Sequence, residues 1–205
     1  MSYRTDQEAF WAGTFGDQYI ERNKGAQLVA SNTALFSSIL RQCGPIASIV
    51  EFGANIGLNL IALRSLLPEA SFSAIEINAR AAEALRTLGF VSVEQRSILE
   101  PVRTAVHDLS FAKTMLIHIA PSHLPAAYDA LYLSSRRFIV VAEYYNPSPV
   151  EVSYRDHQER LFKRDFAGDM MKRFPDLRLV DYGFVYHGGR FPQDDITWFL
   201  MEKTA

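Results

Sequence analysis

Cys43 is the only cysteine in this 205-residue chain. An intramolecular disulfide and a cysteine-based metal cluster are therefore excluded, and Cys43, just before Gly44-Pro45, reads as a small buried hydrophobe. Long apolar runs are also missing: the longest, Phe138-Ile-Val-Val-Ala142, is far too short to span a bilayer. Nor is there an excess of one charge. With 21 basic and 23 acidic residues the net charge is −2, which offers no general attraction to nucleic acid or an anionic membrane. No internal repeat or low-complexity segment interrupts the sequence. The opening residues are polar and acidic, unlike a signal peptide, so a soluble, cytoplasmic protein is expected. What is present is ordinary: 48% hydrophobic residues suffice for a full core, and the length is most economically one domain, 1–205.

Strand and helix signals alternate along the chain. Strands are expected at 47–52, 71–77, 91–96, 111–117 and 137–144 from β-branched and apolar runs. Between them, Leu58, Ile61, Ala62, Ser65 and Leu66 recur at helical spacing until Pro68, and 79–88 reads as a helix closed by Gly89. A further helix covers 121–134, opened by Pro121. Residues 158–174 carry helical periodicity, and 177–186 and 196–201 read as strands with no long helix between them. The fold class is therefore α/β: a seven-stranded, mostly parallel sheet with an antiparallel edge pair and helices on both faces.

The most informative segment is Ile49-Val-Glu-Phe-Gly-Ala-Asn-Ile-Gly-Leu-Asn-Leu60, followed by Ala74-Ile-Glu-Ile-Asn78. An apolar strand enters a glycine-bearing turn and a helix begins, while a second strand ends in Glu76, 25 residues after Glu51. That layout suits a nucleoside, with backbone approach at the glycines and a carboxylate on the ribose hydroxyls. The dinucleotide fingerprint fails, because Asn55 and Leu58 stand where its second and third glycines belong. NAD is thus the weaker reading. The spacing Glu51, Gly53, Asn55, Gly57 instead resembles the first motif of class I S-adenosylmethionine-dependent methyltransferases. Glu51 is expected to orient the loop or the ligand amine, and Asn55 tolerates left-handed backbone. Glu76 accepts from the ribose diol, and Ser97 and Ile98, after the third strand, fall where methyltransferases of this fold hold the adenine edge. The bland alternative is a tight strand-to-helix connection with Glu76 on the surface.

Longer strings carry a second resemblance. Glu8-Ala-Phe-Trp-Ala-Gly-Thr-Phe-Gly-Asp-Gln-Tyr-Ile-Glu-Arg-Asn23, Glu143-Tyr-Tyr-Asn-Pro147, Leu161-Phe-Lys-Arg-Asp-Phe-Ala-Gly168 and Phe191-Pro-Gln-Asp-Asp195 resemble the pseudaminic acid biosynthesis-associated methylases. The resemblance spans nearly the whole chain. It implies S-adenosylmethionine as cofactor and a link to nonulosonic sugars, and it leaves the acceptor unassigned.

Methyl transfer from a sulfonium needs alignment, exclusion of water and, for a hydroxyl or ammonium acceptor, a proton acceptor. His118, just past the fourth strand, is either that base or a structural residue beneath the cofactor. Glu143 and His157 are the other candidate bases. Tyr144, Tyr145 and Asn146 follow the fifth strand as a candidate polar acceptor pocket, though at most one tyrosine faces it. Arg155, Arg160 and Lys163 suit an anionic or sugar-derived acceptor, or else form a solvated helix face. Residues 1–40 are expected to form a helical lid in which Tyr19 and Arg22 reach the methionine carboxylate, with Trp11 packing against the sheet edge. His187-Gly-Gly-Arg190 reads as a loop flanking the acceptor. Asp194 and Asp195 lack further ligands at suitable spacing, so no metal is expected. A non-catalytic binding module is the competing function, and both monomer and homodimer stay open.

Overall fold

The computed structural model describes residues 3–101, 105–155 and 157–204; residues 1, 2 and 205 of the expected domain lie outside the described residues. Three helices come first, α1 (Asp6–Ala12), α2 (Thr14–Arg22) and α3 (Ala26–Leu40). Strand and helix then alternate through β1 (Ser48–Phe52), α4 (Leu58–Leu66), β2 (Ser71–Glu76), α5 (Ala79–Thr87), β3 (Val91–Gln95), β4 (His107–Lys113), α6 (Leu124–Leu133) and β5 (Ser135–Glu143). A hairpin of β6 (Val150–Tyr154) and β7 (His157–Lys163) follows. The chain closes with α7 (Phe166–Arg173), β8 (Leu177–Val185) and β9 (Ile196–Lys203).

Seven strands form one sheet in the order β3-β2-β1-β4-β5-β9-β8, with β1 to β5 parallel and β9 running against both β5 and β8. The sheet is covered on both sides, which is why β5 is apolar at every central position. Ile139 and Val141 join Leu131, Phe166 and Met170 on the α6 and α7 side. Phe138, Val140 and Ala142 join Phe36, Ile39, Leu60 and Leu63 on the α3 and α4 side. Among the described residues, no helix is long and apolar enough to cross a membrane.

Two expectations are corrected. The fourth strand ends at Lys113, not near Ile117. Thr114 turns the backbone to φ 50°, and the next two N–H groups, of Met115 and Leu116, donate to the Glu143 carboxylate at 3.0 and 2.9 Å rather than to a strand. The expected helix at 158–174 is a β-strand followed by a short helix. Asp165 caps that helix by accepting from the Gly168 N–H at 2.8 Å, so helical geometry begins only at Phe166. Upstream, the Gln7 side chain donates to the Glu159 carbonyl at 2.9 Å, and the rings of Phe10 and Phe15 pack on His157 and Tyr154. The hairpin is thus stabilised by helices far away in sequence, a tertiary override of local periodicity.

Glu143 is buried and forms the only described cap on the Met115 turn. Glu143→Ala should therefore lower unfolding free energy by about 2–4 kcal/mol, because two enclosed N–H groups lose their acceptor. Denaturant titration measures this; a loss under roughly 0.5 kcal/mol would mean that the turn is held by something else.

Candidate functional site

A cavity of about 400 Å³ opens beyond the C-terminal ends of β1 to β4, a size suited to a small molecule. It lies where the chain, having placed β2 and β3 on one side of β1, crosses to place β4 on the other. In open α/β sheets such a switch point leaves a crevice between diverging connections. Side chains from α1, α2, α3 and the β8–β9 loop complete the wall.

The turn after β1 has left-handed backbone at Gly53 (φ 74°), Asn55 (φ 49°) and Gly57 (φ 82°). The space freed by the two glycines is taken by protein. A Cβ on Gly53 would meet Met115 Cγ at 2.4 Å, and one on Gly57 would meet Leu85 and Leu88 at 2.8 Å. Gly53 and Asn55 line the cavity; Gly57 lies off its wall, under α5. Glu76 lines it from the end of β2, and its carboxylate ties two turns together. Oε2 accepts from the Asn55 N–H and Oε1 from the Asn78 N–H, both at 2.7 Å. Burial raises its pKa, and these two N–H groups pull it back.

Glu51 is fully buried, one layer behind the wall. Its Oε1 accepts from Asn59 Nδ2 at 2.6 Å, while Oε2 and Asn59 Oδ1 have no partner among the described residues. Burial pushes the Glu51 carboxyl up to about 8, against the Asn59 hydrogen bond and the Lys113 charge. Lys113 lines the cavity from the end of β4; burial lowers its pKa, opposed by Glu51, Asp194 and Glu143.

Ser97 and Ile98 line the β3 end beside Arg96, whose Nη2 is buried without a partner among the described residues. Ser97 Oγ donates to Glu8 of α1, and Asn78 Nδ2 donates to Asp17 of α2 at 2.9 Å, so both N-terminal helices are tied to the strand ends. Trp11 lines the cavity and lies 4.5 Å from the His118 ring, which corrects its expected place at the sheet edge. Tyr19 also lines it, with its phenol pKa raised by burial, whereas Arg22 is exposed over Phe15. Of the segment expected as a lid, α1 and α2 overlie the cavity, while α3 packs Leu35, Phe36 and Ile39 into the core and reaches the wall only through Leu28 and Asn32.

The acceptor-side candidates scatter. His118 lines the cavity, with Nδ1 2.6 Å from the Arg160 carbonyl and burial pushing its pKa down to about 4. Glu143, with its pKa pushed up to about 7 by burial, caps the Met115 turn off the wall. His157 and Arg155 are exposed on the β6–β7 hairpin, and Arg160 covers Phe10. The alternative helix face does not form either, because Arg160 and Lys163 both lie in β7. Lys163 sits 5.3 Å from the Tyr144 ring. Tyr144 reaches Asp194 at 3.5 Å, Tyr145 is exposed, and Asn146 donates to the Ser148 carbonyl at 2.6 Å. None of these hairpin and β5-end residues lines the cavity.

Lys113, Asn59, Asn32 and Gln193 are cavity residues that the sequence reading passed over. Lys113 had the same signal as Glu76, a polar residue closing an apolar strand, hidden by extending that strand to Ile117. Unpartnered polar atoms on Asn59, Arg96 and Trp11 offer both an acceptor and donors to a ligand. No group of three or more His, Cys, Asp or Glu side chains is placed to hold a metal among the described residues.

No family model matches the chain, and no curated protein matches it. Solved structures do. The 1,6-didemethyltoxoflavin-N1-methyltransferase of Burkholderia thailandensis, with 1,6-didemethyltoxoflavin and S-adenosylhomocysteine bound, has a TM-score of 0.71 at 12% identity, over 97% of this chain and 87% of that one. The magnesium protoporphyrin IX methyltransferase of Synechocystis, with SAH bound, has a TM-score of 0.69 at 11% identity, over 97% and 100% of the two chains. A plantazolicin methyltransferase in complex with a pentazolic desmethylPZN analogue and SAH has a TM-score of 0.64 at 12% identity, over 93% and 90% of the two chains. At such identity the likeness shows the fold, which is the Rossmann-like fold of class I methyltransferases.

The buried carboxyl of Glu51 makes a prediction about stability. A carboxyl whose pKa rises on folding binds its proton more tightly in the native state, so its contribution is full below about pH 4.5 and is lost as pH rises toward 8. Glu51→Gln should therefore gain stability over the parent between pH 5 and pH 8, by on the order of 2–4 kcal/mol. Parallel denaturation curves at the two pH values measure it; an identical difference at both would show that Glu51 ionises freely.

Proposed function

We propose that this chain is an S-adenosylmethionine-dependent methyltransferase that methylates an oxygen or nitrogen of a small polar acceptor. One observation carries the reading. Glu76 closes β2 in a cavity at the switch point, hydrogen-bonded to the glycine-bearing turn at Asn55. A carboxylate so held keeps lone pairs for a vicinal diol, and each charge-assisted bond to it contributes roughly 1.5–3 kcal/mol. Ser97 and Ile98 flank the purine, Asn55 and Gly53 face the ribose and methionine portions, and Tyr19 closes over them from α2. Asn59, backed by Glu51, receives the amino group through its unpartnered Oδ1.

The bound cofactor supplies an activated methyl carbon. The chain's own task is to align an acceptor with it and exclude water, which α1 and α2 serve by overlying the cavity. We assign the acceptor to the nonulosonic sugars or their nucleotide-activated forms, in line with the family that the terminal strings resemble. Lys113, which lines the cavity with Asp194, is the amine that would meet such a sugar's carboxylate; burial lowers its pKa, and an anionic partner would favour its charged form. The hairpin cations Arg155, Arg160 and Lys163 lie outside the cavity and would act on an activated sugar's nucleotide only if it projects from the mouth.

Calorimetric titration with S-adenosylmethionine should give a binding isotherm. Glu76→Ala should weaken it by about 2–4 kcal/mol. Absence of heat with the parent protein, together with an unchanged melting temperature, would end the cofactor reading; a Glu76→Ala loss of only a few tenths would end the diol assignment. Mass spectrometry of a nonulosonic acid and its nucleotide-activated form, incubated with cofactor, should show the gain of one methylene, and its absence from both would remove the sugar acceptor.

A further inference from the structure

The β8–β9 loop carries a paired histidine and aspartate that the reading above leaves unused. His187 lines the cavity mouth, and Asp195 grips that one residue with both carboxylate oxygens. Oδ1 accepts the His187 backbone N–H at 2.8 Å, and Oδ2 lies 2.7 Å from the ring Nδ1. Asp195 adopts left-handed backbone, φ 52°, an uncommon conformation for a non-glycine residue and one that clusters at functional sites. The turn that holds it there is anchored. Gln193 is buried and donates to Asn32 of α3 at 3.0 Å, and the Asp195 N–H donates to the Gln193 carbonyl at 2.9 Å. A chain of contacts thus runs from the core helix to the imidazole, fixing its ring by its Nδ1 edge. Nε2, on the opposite edge, has no partner among the described residues.

We propose that His187, oriented by Asp195, is the general base that takes the proton masking the acceptor's nucleophile, from a hydroxyl as it attacks or from an ammonium beforehand to free the amine lone pair. This rests on the methyltransferase reading above. The nucleophile's electron pair forms the new bond to the methyl carbon, the carbon–sulfur pair leaves on sulfur, and the proton passes to Nε2 and then to solvent, to which the exposed His187 side chain has access. Other groups at the cavity fit this role less well. His118 lines the cavity but has its Nδ1 on a carbonyl rather than a carboxylate, lies between Trp11 and Tyr154, and has its pKa pushed down to about 4 by burial. Glu143 is behind the wall, and Lys113 is enclosed, its pKa lowered by burial and pulled back by Glu51 and Asp194, with no side chain shown orienting it. The arrangement is that of a base steered by a carboxylate: an aspartate at Nδ1 selects the tautomer with a free Nε2 and stabilises the imidazolium that forms. The charged groups facing the pair are Asp195 itself, held below the usual carboxylate range first by the His187 N–H, and Lys163, which adds to that lowering.

Two measurements on the full chain test this. Long-range proton–nitrogen NMR of the S-adenosylhomocysteine complex should find the His187 proton on Nδ1, with Nε2 bare, and Asp195→Asn should disturb that tautomer. A proton fixed on Nε2 would overturn the proposal whatever the acceptor. With the acceptor found by the methylene-gain screen, His187→Gln should lower kcat by about 10²–10⁴-fold and remove the acidic limb of the pH–rate profile. Calorimetric affinity for S-adenosylmethionine should stay within about threefold of the parent, which is under 1 kcal/mol. Unchanged kcat in His187→Gln overturns the assignment alone, whereas absence of cofactor binding by the parent would instead remove the methyltransferase reading beneath it.

Discussion

A single buried carboxylate holds the cavity end of this molecule together. Glu76 accepts the N–H of Asn55 on one side and of Asn78 on the other, so the turns leaving β1 and β2 are bound to each other as well as to their own strands. Asn78 extends the link. Its Oδ1 caps α5 through the Ala81 N–H at 2.9 Å, and its amide donates to Asp17 of α2 and to the Trp11 carbonyl. Placing one carboxylate in a low-dielectric site is costly unless it is hydrogen-bonded. Satisfying it with backbone donors from two turns makes that cost a constraint on the shape of the cavity.

The same logic recurs around the rim. Glu143 spends its Oε1 on the two N–H groups that follow β4, aiming Met115 into the space that Gly53 leaves open. Glu51 holds Asn59, Glu8 holds Ser97, and Asp195 holds His187. Carboxylates here are fasteners first. The raised pKa values of Glu51, Glu76 and Glu143 and the lowered one of Asp195 follow from how far burial outweighs the donors that each has recruited. A carboxylate in this rim is therefore a candidate for chemistry only where it faces the cavity and keeps a lone pair free.

The scatter of the acceptor-side residues has a simple cause. Tyr145, Asn146, Arg155, Arg160 and Lys163 were grouped by their closeness in sequence to a strand end and to an expected helix. The hairpin β6–β7 carries Arg155, Arg160 and Lys163 off the cavity wall instead, with Arg160 over Phe10 of α1 and Lys163 over Tyr144. Trp11 moves the opposite way, from the sheet edge to the cavity wall, because Gly16 lets α2 pack against Asn78: a Cβ there would lie 1.9 Å from the Trp11 carbonyl.

Local order was legible because its causes are local. The apolar run of β5, the glycines and Asn55 after β1, the stop at Pro68 and the acid closing β2 each express a backbone or burial preference within a few residues. Their alternation was enough to name a seven-stranded, mostly parallel sheet and to put Glu76 at the end of β2, where the cavity lies. What the tertiary structure alone decided depends on pairs distant in sequence. The hairpin in place of a helix needs Gln7 and Phe10 against Glu159 and His157, the early end of β4 needs Glu143, and the bond from Gln193 to Asn32 spans 161 residues. Such contacts leave no periodic trace along the chain, because each depends on where the sheet has already carried two remote segments.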